Sequence, residues 1–142
     1  MHVLPLFGVA ADRIEQDAGS GRLCVVGVFH EVRVPSFPHV VQSLGVAARF
    51  EISAEECGRE VTANVALVDA TGYRDHLDQR PRLTPYLQSD RPTFWDFALN
   101  LPPCTFKAPG RFHIVLRVDK QIVAEIPIWV VGPAEVGASP EA

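Results

Sequence analysis

The C-terminal part of the chain alternates apolar and polar residues with a period of two. Residues 112–118 and 122–130 both place an apolar side chain at nearly every second position, and a polar turn at residues 119–121 separates them. Two such runs joined by a short turn predict a β-hairpin with one face on a core. Pro127 falls on the outward phase of the second run. We expect it at a sheet edge or a bulge, because proline cannot donate a ladder hydrogen bond.

Similar runs occupy most of the remaining chain, at residues 3–14, 23–34, 46–52, 61–67 and 95–101. Turn residues separate these runs, and no apolar helical stripe is long enough to bury a helix face. The pattern therefore predicts an all-β fold, an antiparallel β-sandwich (immunoglobulin-like) of seven to eight strands. A sandwich is favoured over a barrel because the connections differ in length. The longest connection, residues 74–92, suits a crossover between two sheets.

The strand phases also predict which side chains form the core. The inward positions are Phe50, Val61, Val65, Leu67, Trp95, Phe97, Leu99, Phe112, Ile114, Leu116, Ile126 and Ile128.

Length and composition agree with one globular domain. A chain of 142 residues with 47% hydrophobic and 21% charged residues can bury a core without disulfide or metal support. We expect a single sandwich domain over residues 1–131 and a flexible tail over residues 132–142, which are rich in Gly, Pro and Ala.

Charge and cysteine content narrow the classes of partner. The net charge of −4 is spread without basic blocks, which argues against nucleic acid and anionic membranes as main partners. No apolar stretch reaches the roughly 18–20 residues of a membrane helix, and no Lys or Arg precedes the first apolar run as in a signal peptide. Three cysteines without a CxxC pair predict free thiols, no disulfide and a cytoplasmic protein.

The run at residues 23–34 is apolar on both phases, which a strand in a two-layer sandwich does not need. Either a loop covers its outer face, or that face, with Val26 and Val28, forms a subunit interface or a ligand groove. Val115 and Val123 are also uncharged at outward positions of the C-terminal hairpin. These positions favour a homo-oligomer, with a dimer as the expected state.

The segment 79–91 has the composition of an interaction loop. Two prolines hold it extended, and arginine, tyrosine and leucine side chains are common at interfaces. The candidate contact residues are Arg80, Arg82, Leu83, Tyr86, Leu87 and Arg91. The alternative is a crossover that only packs over the edge of the sandwich.

Candidate chemistry is sparse. A zinc site from His30, His39, His76 and Cys57 would need loops to converge, since no pair has ligand spacing. The aspartates of the middle of the chain (Asp69, Asp75, Asp78, Asp90 and Asp96) alternate with arginines and lack the D-x-D-x-D pattern of calcium loops. No serine lies in a G-x-S-x-G setting. The sequence therefore predicts no catalytic residue, no metal ligand and no cofactor.

Several short segments together resemble an uncharacterised bacterial family of short β-sandwich proteins, a family defined as a domain of unknown function. The segments are Ala11-Asp12, residues 21–29 (GRLCVVGVF), residues 35–38 (PSFP), residues 69–72 (DATG) and residues 109–112 (PGRF). The resemblance covers nearly the whole chain. It implies a β-sandwich fold and no catalytic residues.

Two functional hypotheses remain. The first is a non-catalytic binding or assembly module that associates with itself or with a protein partner through strand edges and the 79–92 segment. The second is a small metal-dependent hydrolase with a site built from loops that carry His30, His39 and His76. The absence of catalytic spacing favours the first.

Overall fold

The computed structural model describes residues 3–20, 22–53, 55, 60–72, 77–79, 82–83 and 93–133. Twelve strands run through this part of the chain, and none of its residues lies in an α-helix. The strands are β1 (Val3–Gln16), β2 (Leu23–Phe29), β3 (Glu31–Arg33), β4 (His39–Val41), β5 (Leu44–Ile52), β6 (Val61–Asp69), β7 (Leu77–Gln79), β8 (Arg82–Leu83), β9 (Thr93–Leu101), β10 (Cys104–Phe106), β11 (Gly110–Val118) and β12 (Gln121–Val131).

The strands form two principal sheets. Sheet A has four strands in the order β2-β1-β5-β9, and sheet B has the order β3-β12-β11-β6-β7, with β8 also paired to β6. A third, two-stranded sheet consists of β10 and β4. The predicted all-β sandwich is confirmed. No helix of the described residues is long and apolar enough to cross a membrane.

The number of strands exceeds the predicted seven to eight. Seven strands have seven or more residues, and these correspond to the predicted alternating runs. The other five, β3, β4, β7, β8 and β10, have only two or three residues. A strand of that length does not show a period of two, so the hydrophobic pattern cannot reveal it.

Side chains from both sheets enter one core between them. Of the twelve predicted core residues, ten are buried, and Trp95 and Leu99 are partly buried against the same cluster. Leu44, Val46 and Phe106 are among the core residues that the prediction did not include. The predicted strand phase is therefore confirmed.

One of the connections between the two sheets is very short. The chain leaves sheet A after Phe29 and joins sheet B at Glu31, where β3 runs parallel to β12. The amide of Trp129 donates to the His30 carbonyl at 2.8 Å, and the amide of Val34 donates to the Val131 carbonyl at 2.9 Å. These bonds hold the crossing segment against β12 on both sides of β3.

The C-terminal hairpin closes on a tight two-residue turn. Asp119 and Lys120 have φ angles of 48° and 74°, the left-handed conformation that matches strand twist in a short hairpin turn. Asp119 also fixes the turn to β6, because its amide donates to the Thr62 carbonyl and its carboxylate accepts from the Thr62 amide. The turn therefore begins where predicted and has one residue fewer.

Two outward positions of this hairpin differ from the prediction. Val115 is buried although it lies on the outward phase, and Val123 packs against the core. The register between β11 and β12 shifts near Ala124, and this bulge redirects the Val123 side chain. Pro127 is exposed, and β3 pairs with β12 only at residues 129–131. Pro127 therefore lies at an edge, as its lack of an amide proton requires.

We expect Phe97→Ala and Leu116→Ala each to lower the free energy of unfolding by about 2–5 kcal/mol, because each removes a buried side chain and leaves a cavity. Chemical denaturation measures the loss. Ile122→Ala is the control, since Ile122 is half exposed. Losses below about 0.5 kcal/mol for both core variants would contradict the strand phase.

Candidate interaction surface

Four of the eight large hydrophobic side chains that are exposed among the described residues lie on the side of sheet A that faces away from the core. The strand registers align its side chains in four rows across the sheet. The rows are Val28–Ala11–Gly45–Asn100, Val9–Ala47–Ala98, Phe7–Arg49–Asp96 and Leu4–Glu51–Phe94. We call this surface the outer face.

Large apolar side chains stand at the margins of the outer face. Val28 is 60% exposed and Phe94 is 63% exposed, at diagonally opposite corners, and Leu4 and Phe7 are exposed along β1. Single exposed apolar residues are ordinary on protein surfaces, but several on one sheet face are typical of an interaction site.

Small residues form the floor of the outer face. Ala11 and Ala47 are fully buried and pack with Ile14 in a cluster separate from the main core. A Cβ atom on Gly45 would lie 2.6 Å from a side-chain carbon of Ile14. Gly45 is therefore needed for the Ile14 side chain to cross the end of β5.

Asn100 supports the same region with two hydrogen bonds. Its side-chain amide donates to the Ile14 carbonyl and its side-chain oxygen accepts from the Ile14 amide, both at 2.8 Å. The paired part of β5 begins at Leu44, which pairs with Leu101 and not with β1. Asn100 thus replaces the missing strand partner of β1 and satisfies both backbone groups of Ile14.

Arg49 is the central charged residue of the outer face. Its guanidinium donates to both carboxylate oxygens of Asp96, at 2.6 and 2.9 Å, and lies 5.7 Å from the centre of the Phe7 ring. The hydrogen bonds and charge of Asp96 raise the pKa of Arg49 above its ordinary value. The row Phe7–Arg49–Asp96 is consequently electrically balanced and held by both a bidentate pair and a cation–π contact.

The shape of β2 depends on Gly27. Its φ angle is +71°, and the cross-strand pairing of β2 with β1 skips the Asp12–Gly27 position. The Asp12 carboxylate occupies the space that a side chain at Gly27 would need. The hydroxyl of Ser43 donates to the Asp12 carbonyl and holds the facing part of β1.

The predicted interaction residues have different locations. Val28 is exposed on the outer face, whereas Val26, opposite Arg13, is partly buried. Arg82 and Leu83 form β8, which pairs with the start of β6, away from sheet A. Four further predicted residues lie outside the described residues: Arg80, Tyr86, Leu87 and Arg91.

The residues of the alternative zinc site do not form a cluster where the structure describes them. His30 is exposed and His39 is partly buried on β4, and no group of three His, Cys, Asp or Glu residues converges within the described ranges. Asp69 instead caps the turn at Thr71, as its sequence context predicts. His76, Cys57, Asp75 and Asp90 lie outside the described residues, as does the side chain of Asp78.

The two described cysteines are free thiols with different environments. Cys24 is exposed on β2 and Cys104 is buried at the start of β10. Burial raises the pKa of Cys104, because the thiolate is poorly solvated there. Cys104 therefore acts as a core residue. Cys24 is on the surface, although the run at residues 23–34 is apolar on both phases.

Three features of the outer face escaped the sequence analysis: the exposed rings of Phe7 and Phe94, and the Arg49–Asp96 pair. The alternation of β5 and β9 does place Arg49 and Asp96 on outward phases. Only the register shows that they are directly opposite one another. A register between distant strands is not encoded in either strand alone.

The fold and surface define a small β-sandwich with one apolar outer sheet face. A family model, the family of unknown function DUF6941, matches residues 6–131. The chain therefore belongs to DUF6941. No curated protein matches the chain significantly.

We expect Gly27→Ala to destabilise the protein more than Gly72→Ala. Both glycines have left-handed φ angles, +71° and +90°, but only Gly27 has neighbouring atoms within 4 Å of an added Cβ. Gly72→Ala should lower the free energy of unfolding by about 1–2 kcal/mol, because of its backbone conformation alone. Gly27→Ala should lower it by about 1–3 kcal/mol more, because the added Cβ atom overlaps with Asp12.

Denaturation of both variants measures the difference, and Asp12→Ala in the Gly27→Ala background should recover part of it. Equal losses at the two glycines, or no recovery, would show that Asp12 does not restrict Gly27.

Proposed function

We propose that the protein is a non-catalytic binding and assembly module that forms a homo-oligomer through the outer face. The exposed apolar side chains of Leu4, Phe7, Val28 and Phe94 on one sheet face carry the proposal. Burying apolar surface contributes about 25 cal/mol per Å², so this face favours association over exposure to water. A cytoplasmic location is part of the proposal, because there the thiols of Cys24 and Cys104 would remain reduced.

Charge favours a second copy of this chain as the occupant of the outer face. Arg49 and Asp96 neutralise each other within one row. The only other charged residue of the four rows is Glu51, which lies between Leu4 and Phe94 in the last row. A two-fold contact brings the same surface to both sides. A balanced surface can meet itself without opposing strong like charges.

The size of the outer face sets the expected strength of self-association. Four strands about 4.8 Å apart and four rows about 6.8 Å apart cover a projected area of roughly 500 Å². Stable complexes bury about 800 Å² of accessible surface per partner. Because side chains protrude from the sheet, the accessible surface that a contact buries exceeds this projected area. We therefore expect association that depends on concentration.

The test is Val28→Glu, which places a charge at an exposed corner of the outer face. Ile122→Glu is the matched control, because Ile122 is similarly exposed but lies on β12 of sheet B. Sedimentation at several concentrations should give a mass above 15.6 kDa for the wild type and for Ile122→Glu. Val28→Glu should lower the mass because an unpaired charge resists desolvation at an apolar contact.

A constant wild-type mass of 15.6 kDa would refute self-association. Equal masses for wild type and Val28→Glu would show that the contact does not lie on the outer face. Circular dichroism of each variant controls for folding.

A further inference from the structure

Exposed sheet edges differ in how well they are protected against pairing with another strand. Natural proteins protect edges with short strands, kinks, bulges and proline. In the described part of the chain, β3, β7 and β8 have at most three residues. The free portion of β12 has a bulge and Pro127, and β2 is kinked at Gly27. Each of these edges therefore resists addition of a strand.

The edge formed by β9 has none of these devices. Its nine residues, TFWDFALNL, contain no glycine, proline or lysine, and all nine pair with β5 in an unbroken register. β9 is the last strand of sheet A, with β5 as its only strand partner among the described residues. Its single charge, Asp96, is neutralised by Arg49. Such a long and regular edge is suited to pairing with another extended strand.

The inner face of sheet A is also incompletely covered at this edge. Phe97 and Leu101 are buried, whereas Trp95 and Leu99 on the same side of β9 are only partly buried. Trp95 contacts Phe50 and Phe97, with ring centres 5.9 and 6.5 Å apart, and keeps part of its surface exposed. A strand added beside β9 would cover both residues.

We infer that β9 pairs antiparallel with β9 of a second copy, with Phe97 at the two-fold axis. This inference rests on the proposed self-assembly and assigns a second contact, which extends the sheet beside the outer face. In this register Trp95 lies opposite Leu99 of the second copy, and the reverse pair follows by symmetry. The two partly buried residues thus become cross-strand neighbours, and sheet A becomes half of a continuous eight-stranded sheet.

Charge repulsion and strand phase together select this register. With Phe97 at the axis, Asp96 lies opposite Ala98 of the second copy. A shift that places Asp96 at the axis would set two aspartates directly opposite one another, which is unfavourable. A shift by one residue would place the inner-face side chains of the second copy on the outer-face side of the sheet. The register centred on Phe97 avoids both penalties and uses all nine residues of each strand.

The test uses the Val28→Glu variant as background, since this removes the outer-face contact. Sedimentation of this variant should give a concentration-dependent dimer of roughly twice 15.6 kDa. Adding Ala98→Glu places a glutamate opposite Asp96 twice in the dimer and should raise its Kd roughly 2- to 30-fold. Adding Ala98→Lys places an opposite charge there and should keep or strengthen the dimer. High salt should reduce the difference between the two variants.

Ala98 is exposed, so both double variants should retain the fold, as thermal unfolding of each would verify. A Val28→Glu variant that is monomeric at every concentration would overturn the β9 contact and leave the outer-face proposal intact. Equal effects of Ala98→Glu and Ala98→Lys would also overturn it, because the register predicts opposite signs. If Val28→Glu leaves the wild-type mass unchanged while Ala98→Glu and Ala98→Lys differ, the outer-face contact fails and the β9 contact stands.

Discussion

The rest of the structure depends on the requirement that every second side chain of β5 enters the core. β5 lies between β1 and β9 and buries Leu44, Val46, Phe50 and Ile52 against the residues of sheet B. A slip of one residue would exchange these side chains for Gly45, Ala47 and the charged residues Arg49 and Glu51. That exchange would bury charge and expose the core, so the register of sheet A is strongly specified. The composition of the outer face follows directly from it.

Local contacts made by Asn100 and Gly45 support the outer face. Asn100 satisfies the backbone of Ile14 where β5 no longer does, and Gly45 leaves room for that arrangement. The Arg49–Asp96 pair itself contributes little stability, since ion pairs of this exposure are worth about 0–1 kcal/mol. Its effect is to keep the middle of an apolar face charge-balanced. A surface of this kind is compatible with association and poorly suited to steering a charged ligand.

The edges of the two sheets differ in how readily they can pair with another strand. Pro127, the bulge of β12 and the kink at Gly27 limit strand addition at three places. β9 is long and regular, and it carries the partly buried Trp95. Membership of DUF6941 assigns no activity. A role in assembly is therefore proposed from the surface of sheet A, where a mainly apolar face meets the β9 edge, which no other described strand covers.

The sequence by itself determined the all-β class, the seven long strands and which face of these strands enters the core, because alternation of apolar residues is a local property that burial imposes on each strand. It also located the turn that begins at Asp119, because the ends of the two alternating runs are visible in the local pattern. The short strands, the exposure of Cys24 and the pairing of Arg49 with Asp96 were decided only by tertiary structure. These features depend on which distant strands become neighbours and in which register, and no single strand carries that information.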